Sequence, residues 1–211
     1  MSDASYLEEV RSAADMTSPD DLAALSADPF PYFDHPEPVV RRLAVSVAAA
    51  DPSRDGLAAR LGRMLRDDTS PRVRAEAAEV LAATGPEAIE ALLAATGDRD
   101  PLVIEAVATG LGEVGDATAV PWLIDAARGH SDRLVREASV ASLGAIGDDR
   151  ARPILLDLVR TGPPQIRRRT VVALTVFDGP EIESAIRGAL EDRNPMVREA
   201  AEMVAGRPID R

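Results

Sequence analysis

The chain has 211 residues, of which only 3% are aromatic and none is cysteine; 36 acidic residues stand against 24 basic ones, for a formal net charge of −12. Lacking cysteine, it has no disulfide, no thiolate metal site and no cysteine nucleophile. The acidic excess argues against a general nucleic-acid binder, which needs a positive footprint, and so few aromatics require a core of Ala, Val, Leu and Ile.

Taken in chain order, the start Met1-Ser-Asp-Ala-Ser-Tyr-Leu-Glu-Glu-Val lacks the basic start and apolar core of a secretory signal. No apolar run approaches the roughly 20 residues of a membrane span, so a cytoplasmic protein that avoids membranes is expected. A short capping helix is expected over residues 6–14, and a second helix begins at Ser18-Pro19-Asp20-Asp21 and fades by Asp28. Residues 28–38 then form a proline-stiffened connector holding Phe30, Tyr32 and Phe33. These aromatics either cap the apolar end of a stack or form a partner-binding knob, and capping is the reading favoured.

From Pro38 onward one phrase recurs. Its clearest copy is Asp68-Thr-Ser-Pro71-Arg-Val73-Arg74-Ala-Glu-Ala77-Ala-Glu-Val-Leu81-Ala-Ala-Thr-Gly85. Aligned on the proline position, the copies fall at Pro38, Pro71, Pro101, Arg133, Pro164 and Pro195. Two residues on stand Val40, Val73, Val103, Val135, Ile166 and Val197; three on stand Arg41, Arg74, Ile104, Arg136, Arg167 and Arg198. Self-similarity at this period marks a solenoid, in which a single repeat cannot bury its apolar face alone. Each repeat reads as two helices, since Gly-Pro and Gly-Asp steps close one helix and open the next. The first helices are expected at residues 55–66, 87–95, 118–128, 150–160 and 180–190, each followed by a second helix from the proline position.

The pattern Asp-x-x-Pro-x-Val-Arg-x-x-Ala-x-x-x-Leu-x-x-x-Gly resembles the HEAT-like repeat of the phycobilin-lyase type, over about residues 20–206. That resemblance implies an all-α fold: a right-handed α-solenoid, or superhelix, of about six HEAT-like helix pairs, with one concave groove lined by the second helices. The whole of 1–211 is expected to be one repeat domain, with 1–33 an irregular N-terminal cap, 34–206 the repeats and 207–211 a tail. The resemblance also implies relatives of several kinds: bilin lyase subunits, deoxyhypusine hydroxylases, DNA glycosylase relatives and adaptors. The hydroxylases bind two irons through His-Glu pairs, whereas the only histidines here are His35 and His130, followed by Pro36 and Ser131. That activity is not carried over, and neither metal nor cofactor is expected.

Two sets of residues stand out. The arginine column Arg41, Arg74, Arg136, Arg167 and Arg198 is expected to form a structural ladder with inter-helix aspartates such as Asp34, Asp68, Asp98, Asp132 or Asp192, broken at Ile104. The planar guanidinium fork suits such fixed pairs. Positions one, four, five and eight after the proline position should line the groove. They are Arg72, Ala75, Glu76 and Glu79; Leu102, Glu105, Ala106 and Thr109; Leu134, Glu137, Ala138 and Ala141; Gln165, Arg168, Arg169 and Val172; Met196, Glu199, Ala200 and Met203. Of these, Arg72, Glu76, Glu79, Glu105, Thr109, Glu137, Arg168, Arg169 and Met203 are the candidate partner-binding residues. This mixture fits a protein or peptide better than a phosphate backbone, and Arg167-Arg168-Arg169 is the one basic concentration.

Signs of catalysis are weak. His130-Ser131-Asp132 has triad residue types but lies on one tight turn, which does not give triad geometry. Gly110-Leu-Gly112-Glu-Val-Gly115 has a superficial phosphate-loop look without a preceding strand. The expectation is therefore a non-catalytic scaffold or adaptor. One alternative is an accessory subunit resembling bilin lyase subunits, which would show a deep pocket among Thr109, Ala141 and Val172. Another is nucleic-acid binding through Arg168 and Arg169. The partner and the oligomeric state are not read from the sequence.

Overall fold

Proline and capping residues set the helix borders, and their punctuation yields two helices per repeat. The computed structural model describes residues 19–206, so the helix expected at 6–14 and the tail at 207–211 lie outside the described residues. Twelve α-helices are present among the described residues, with no strand. They are α1 (Pro19–Ala27), α2 (Pro38–Ala48), α3 (Leu57–Asp67), α4 (Pro71–Ala82), α5 (Ala88–Ala94) and α6 (Pro101–Val114), then α7 (Val120–Gly129), α8 (Arg133–Ile146), α9 (Arg152–Thr161), α10 (Pro164–Ala173), α11 (Pro180–Ala189) and α12 (Pro195–Ala205). The fold is an all-α helical-repeat fold of the solenoid class.

Five of the six second helices begin on a proline, whose missing N–H costs nothing in the first turn. The exception, α8, begins on Arg133 and is capped by Asp132, whose side chain accepts from the N–H groups of Leu134 and Val135. The first helices α3, α7 and α9 each start two residues later than the spacing predicts, and α5 one residue later. Asp116 and Asp148 cap short 3-10 turns, Ala117–Ala119 and Asp149–Ala151, before α7 and α9 begin. At the far end of α8, Gly147 takes the left-handed conformation, φ 68°, that lets its N–H bond back to Leu143 O.

The helices fall into two compact units, Met1–Val107 and Ala108–Arg211, with α6 contributing to both. In the first, α3 packs along α4, α2 lies beside α4, and α1 and the connector rest on α2. In the second, α7 pairs with α8, α9 with α10 and α11 with α12. There the second helices α8, α10 and α12 stand side by side as one layer, and the first helices α7, α9 and α11 form the other. Leu57, Leu61, Leu65, Val73 and Leu81 fill the first core; Leu123, Val135, Leu143, Leu155 and Ile166 fill the second. Each contributes about 2 kcal/mol by leaving water.

Small residues set the spacing inside the second unit. A Cβ on Gly112 would stand 2.5 Å from Ser142 Oγ, and one on Gly144 would stand 2.8 Å from Ala173 Cα. Ser142 Oγ donates to Ala108 O at 2.7 Å, so the close approach also satisfies a buried hydroxyl. Gly112, read in sequence as part of a glycine-rich motif, is thus a helix-packing residue.

Candidate partner-binding face

The arginine column builds the frame that carries the face. Arg41 Nε and Nη2 donate to the two carboxylate oxygens of Asp68 at 2.7 and 2.8 Å, while Nη1 donates to His35 O at 2.7 Å. Arg74 repeats this with Asp98, at 2.7 and 2.9 Å, and with Asp68 O at 2.8 Å. Arg167 repeats it with Asp192, at 2.7 Å twice, and with Gly162 O at 2.8 Å. Each guanidinium therefore spans two copies: the carbonyl comes from its own inter-helix turn and the carboxylate from the next. The aspartate keeps one more bond, accepting the N–H two residues on, as Asp68 does from Ser70, Asp98 from Asp100 and Asp192 from Asn194. Charge-assisted bidentate pairing of this kind leaves neither buried group unsatisfied.

The electrostatics follow the geometry. Hydrogen bonding to Asp68, Asp98 and Asp192 raises Arg41, Arg74 and Arg167 above the ordinary guanidinium value, against the opposing effect of burial. Burial pushes the Asp98 carboxyl up, but the Arg74 hydrogen bond, the Asp100 N–H and the Arg74 charge together hold it below the usual carboxylate value. The Arg167 hydrogen bond holds Asp192 low in the same sense, again against burial.

The ladder expected from sequence needs correction in two respects. Its acid is always the residue three before the proline position of the following copy. Asp34 and Asp132 lie off that register, and Asp132 is the cap of α8. His35 and His130 occupy the register position in their copies and mimic the aspartate turn, each accepting the N–H two residues on through Nδ1 at 3.1 Å. For His130 this contact, to Asp132 N, belongs to a turn and not to a triad. Arg136, whose following copy offers Thr161, donates instead to Ala127 O at 3.4 Å. Ile104 is buried at 7% exposure.

The second helices turn their remaining face outward. In the first unit it carries Arg72 and Glu76, half-buried, and Glu79, exposed, on α4, with Leu102 and Glu105 on α6. In the second unit it carries Thr109 on α6, Leu134 and Glu137 on α8, Arg168, Arg169 and Val172 on α10, and Met196 and Met203 on α12. Glu137 pairs with Arg133 one turn away. Arg168 and Arg169 are exposed and have no ion-pair partner among the described residues. Ala75, Ala106 and Ala200, assigned to this face by spacing, are buried at 5%, 5% and 3% exposure.

The apolar part of the face was underweighted in the sequence. Leu102, Leu134, Val172, Val176, Met196 and Met203 are the large hydrophobic residues exposed on α6 through α12, between 44% and 69%, and all lie on second helices or the turn after α10. None stands on α3, α5, α7, α9 or α11. The signal was available for all but Val176: an apolar residue at a position where the repeat demands exposure.

Of the connector aromatics, Phe33 packs inward, whereas Phe30 and Tyr32 are half-buried. Phe33 is 4% exposed and its ring lies 5.5 Å from Phe30, over which Arg54 and Arg60 stack at 4.3 and 4.5 Å. Cavities of about 490 and 610 Å³ in the first unit lie along the ladder turns. Cavities of about 480 and 660 Å³ in the second border α11. Thr109, Ala141 and Val172 line none of these four, so the deep pocket expected of a ligand-holding subunit is not among them. No group of three or more His, Asp or Glu side chains among the described residues is arranged to hold a metal ion. No helix among them is long and apolar enough to cross a membrane.

The family model for HEAT repeats matches residues 30–106 and 89–175. No curated protein matches the sequence. Among solved structures, the chain is similar to one from the complex of CpcE and CpcF of phycocyanin lyase from Nostoc sp. PCC7120, with TM-score 0.66, 19% identity, and 86% of this chain and 76% of that one covered. It is also similar to YibA of E. coli, with TM-score 0.61, 17% identity and coverages of 84% and 68%. A designed armadillo repeat protein in complex with the peptide (KR)4 matches with TM-score 0.58, 14% identity and coverages of 86% and 98%.

Proposed function

This chain belongs to the HEAT-repeat family, and we propose that it is a non-catalytic cytoplasmic scaffold or adaptor that holds a protein or peptide partner on the outward face of its second helices. One observation carries the reading: on the paired helices the exposed large hydrophobic side chains stand on the second-helix side and are absent from α3, α5, α7, α9 and α11. In the second unit these residues accompany Arg168 and Arg169, which have no ion-pair partner among the described residues. Apolar anchors beside fixed charge suit a folded or helical protein segment, with the charge setting orientation more than affinity. A peptide lies on a repeat fold of similar kind in the designed armadillo protein.

Affinity capture followed by binding of the purified partner tests this. The pair Arg168→Glu/Arg169→Glu should weaken binding at least about tenfold, and Met203→Ser about threefold, without changing the thermal midpoint. A partner that binds both variants as tightly as the parent removes the second-helix face of the second unit from consideration. Nucleic-acid binding that falls steeply with salt and vanishes in the charge-reversed pair would assign the same arginines to phosphate contacts.

A further inference from the structure

The outward rows of α8 and α10 have the spacing and size of a surface that receives a helix. On α8 the row is Leu134, Ala138, Ala141 and Ala145. On α10 and the 3-10 turn that follows it, Leu174–Val176, the row is Gln165, Arg169, Val172 and Val176. Both rows run at intervals of four, three and four residues, the interval at which one helix meets another lying along it. Every member is exposed or half-buried, although six of the eight are Leu, Val or Ala. The rows stand close together, because a Cβ on Gly144 would meet Ala173 Cα at 2.8 Å. Three alanines keep the α8 row low, and helix axes approach most closely where side chains are small. Each row spans about 16 Å, or three helical turns.

The charge beside these rows is opposite to that of the chain as a whole. Arg168 and Arg169 are exposed and have no ion-pair partner among the described residues. Neither α10 nor the turn after it holds an acid, and the single acid of α8, Glu137, is paired with Arg133. In a chain of formal net charge −12, such a cationic pair selects an anionic partner. Guanidinium forks match carboxylates in bidentate geometry. Two other anionic surfaces fit less well. Single-stranded nucleic acid is held by stacking on aromatic rings, and neither row has one. An anionic membrane is repelled by the acidic excess of the rest of the molecule.

We propose that the α8–α10 surface docks an acidic amphipathic helix of another protein, about three to four turns long. Its apolar row lies along Ala138, Ala141 and Ala145, and its flanking carboxylates meet Arg168 and Arg169. The inference rests on the second-helix face as the binding side and adds the shape and charge of what binds there.

Three synthetic helices of about 16 residues test this, titrated against the full chain by fluorescence anisotropy. The salt is about 0.15 M, where distant charges are screened. One peptide carries leucine at the four-three-four interval flanked by glutamate; the second has lysine for glutamate, and the third serine for leucine. The glutamate peptide should bind, and the other two should each be at least about tenfold weaker. Arg168→Glu/Arg169→Glu should weaken the glutamate peptide at least about tenfold and strengthen the lysine peptide. Arg160→Glu/Arg187→Glu, the same charge change on α9 and α11, should leave both unchanged. Ala141→Glu, or Ala145→Glu on the exposed last turn of α8, should weaken the glutamate peptide at least about tenfold with the thermal midpoint kept. No binding of that peptide at millimolar concentration, or binding indifferent to Ala141→Glu and Ala145→Glu, overturns the helix. A captured partner that still depends on Arg168 and Arg169 would then leave the second-helix face standing, and one indifferent to them would remove both. Tighter binding to phosphatidylserine vesicles or to an oligothymidine strand than to the glutamate peptide, lost in Arg168→Glu/Arg169→Glu, overturns the choice of partner.

Discussion

The two units hold neighbouring helix pairs in register by different means. The first has two full ion rungs, Arg41–Asp68 and Arg74–Asp98, and its one helical glycine contact, Gly62 against Ala91, is an ordinary 3.5 Å. The second has one rung, Arg167–Asp192, and two places where a glycine lets helix backbones nearly touch. A long guanidinium bridges a gap and specifies alignment through a fixed fork, whereas a glycine removes the gap and specifies alignment through shape. A repeat array can therefore lose its ion ladder locally, as at Arg136, where Gly144 against Ala173 supplies the register.

The largest effect expected from breaking this contrast is in the first unit. Arg74→Ala leaves Asp98 buried and unpaired and should cost about 3–5 kcal/mol, whereas the double change Arg74→Met/Asp98→Leu should recover most of the loss. Urea unfolding of the three proteins decides it, and a double variant as weak as the single one would mean the rung is more than an ion pair. In the second unit, Gly144→Ala should cost about 1–3 kcal/mol, because its Cβ meets the Ala173 backbone rather than a movable side-chain end. The same change at Gly97, which has open space around it, should be near neutral.

Acid should erode the rungs of both units and leave the glycine contacts intact. The folded carboxyls of Asp98 and Asp192 lie below their unfolded value, so the unfolded chain takes up protons first. Their contribution is complete above about pH 4, the unfolded aspartate value, and is lost as pH falls through the lower folded values. Asp98→Asn and Asp192→Asn should each flatten the acid limb of a stability–pH curve; an unchanged limb would place the titrating groups elsewhere. The smallest effect is at the end of the column. Arg198→Gln should cost less than about 1 kcal/mol, since among the described residues it loses only the bond to Asp192 O.

The repeat phrase was enough to place the helices, because proline, glycine and aspartate act locally on the chain. It was not enough to place the rungs. The arginine and aspartate that look like members of one phrase belong to consecutive ones, and only packing decides which aspartate an arginine reaches. Asp34 and Asp132 were credible partners by composition and fail by register alone. The outward face was legible at Arg168, Arg169 and Met203, whose exposure follows from helical spacing. Ala75, Ala106 and Ala200 share that spacing and are buried, so spacing on one helix does not by itself decide exposure. Gly112 carried a signal of close approach that a search for phosphate loops reads as something else.

The rungs also have a direction in time. Each arginine is made 24 to 27 residues before the aspartate that satisfies it. At about 5–20 residues per second, a nascent helix pair carries its open fork for roughly one to five seconds before the next pair arrives to close it. Growth of the array is thus a succession of briefly charged ends, each quenched by its successor, with local closures that need no long search through the chain.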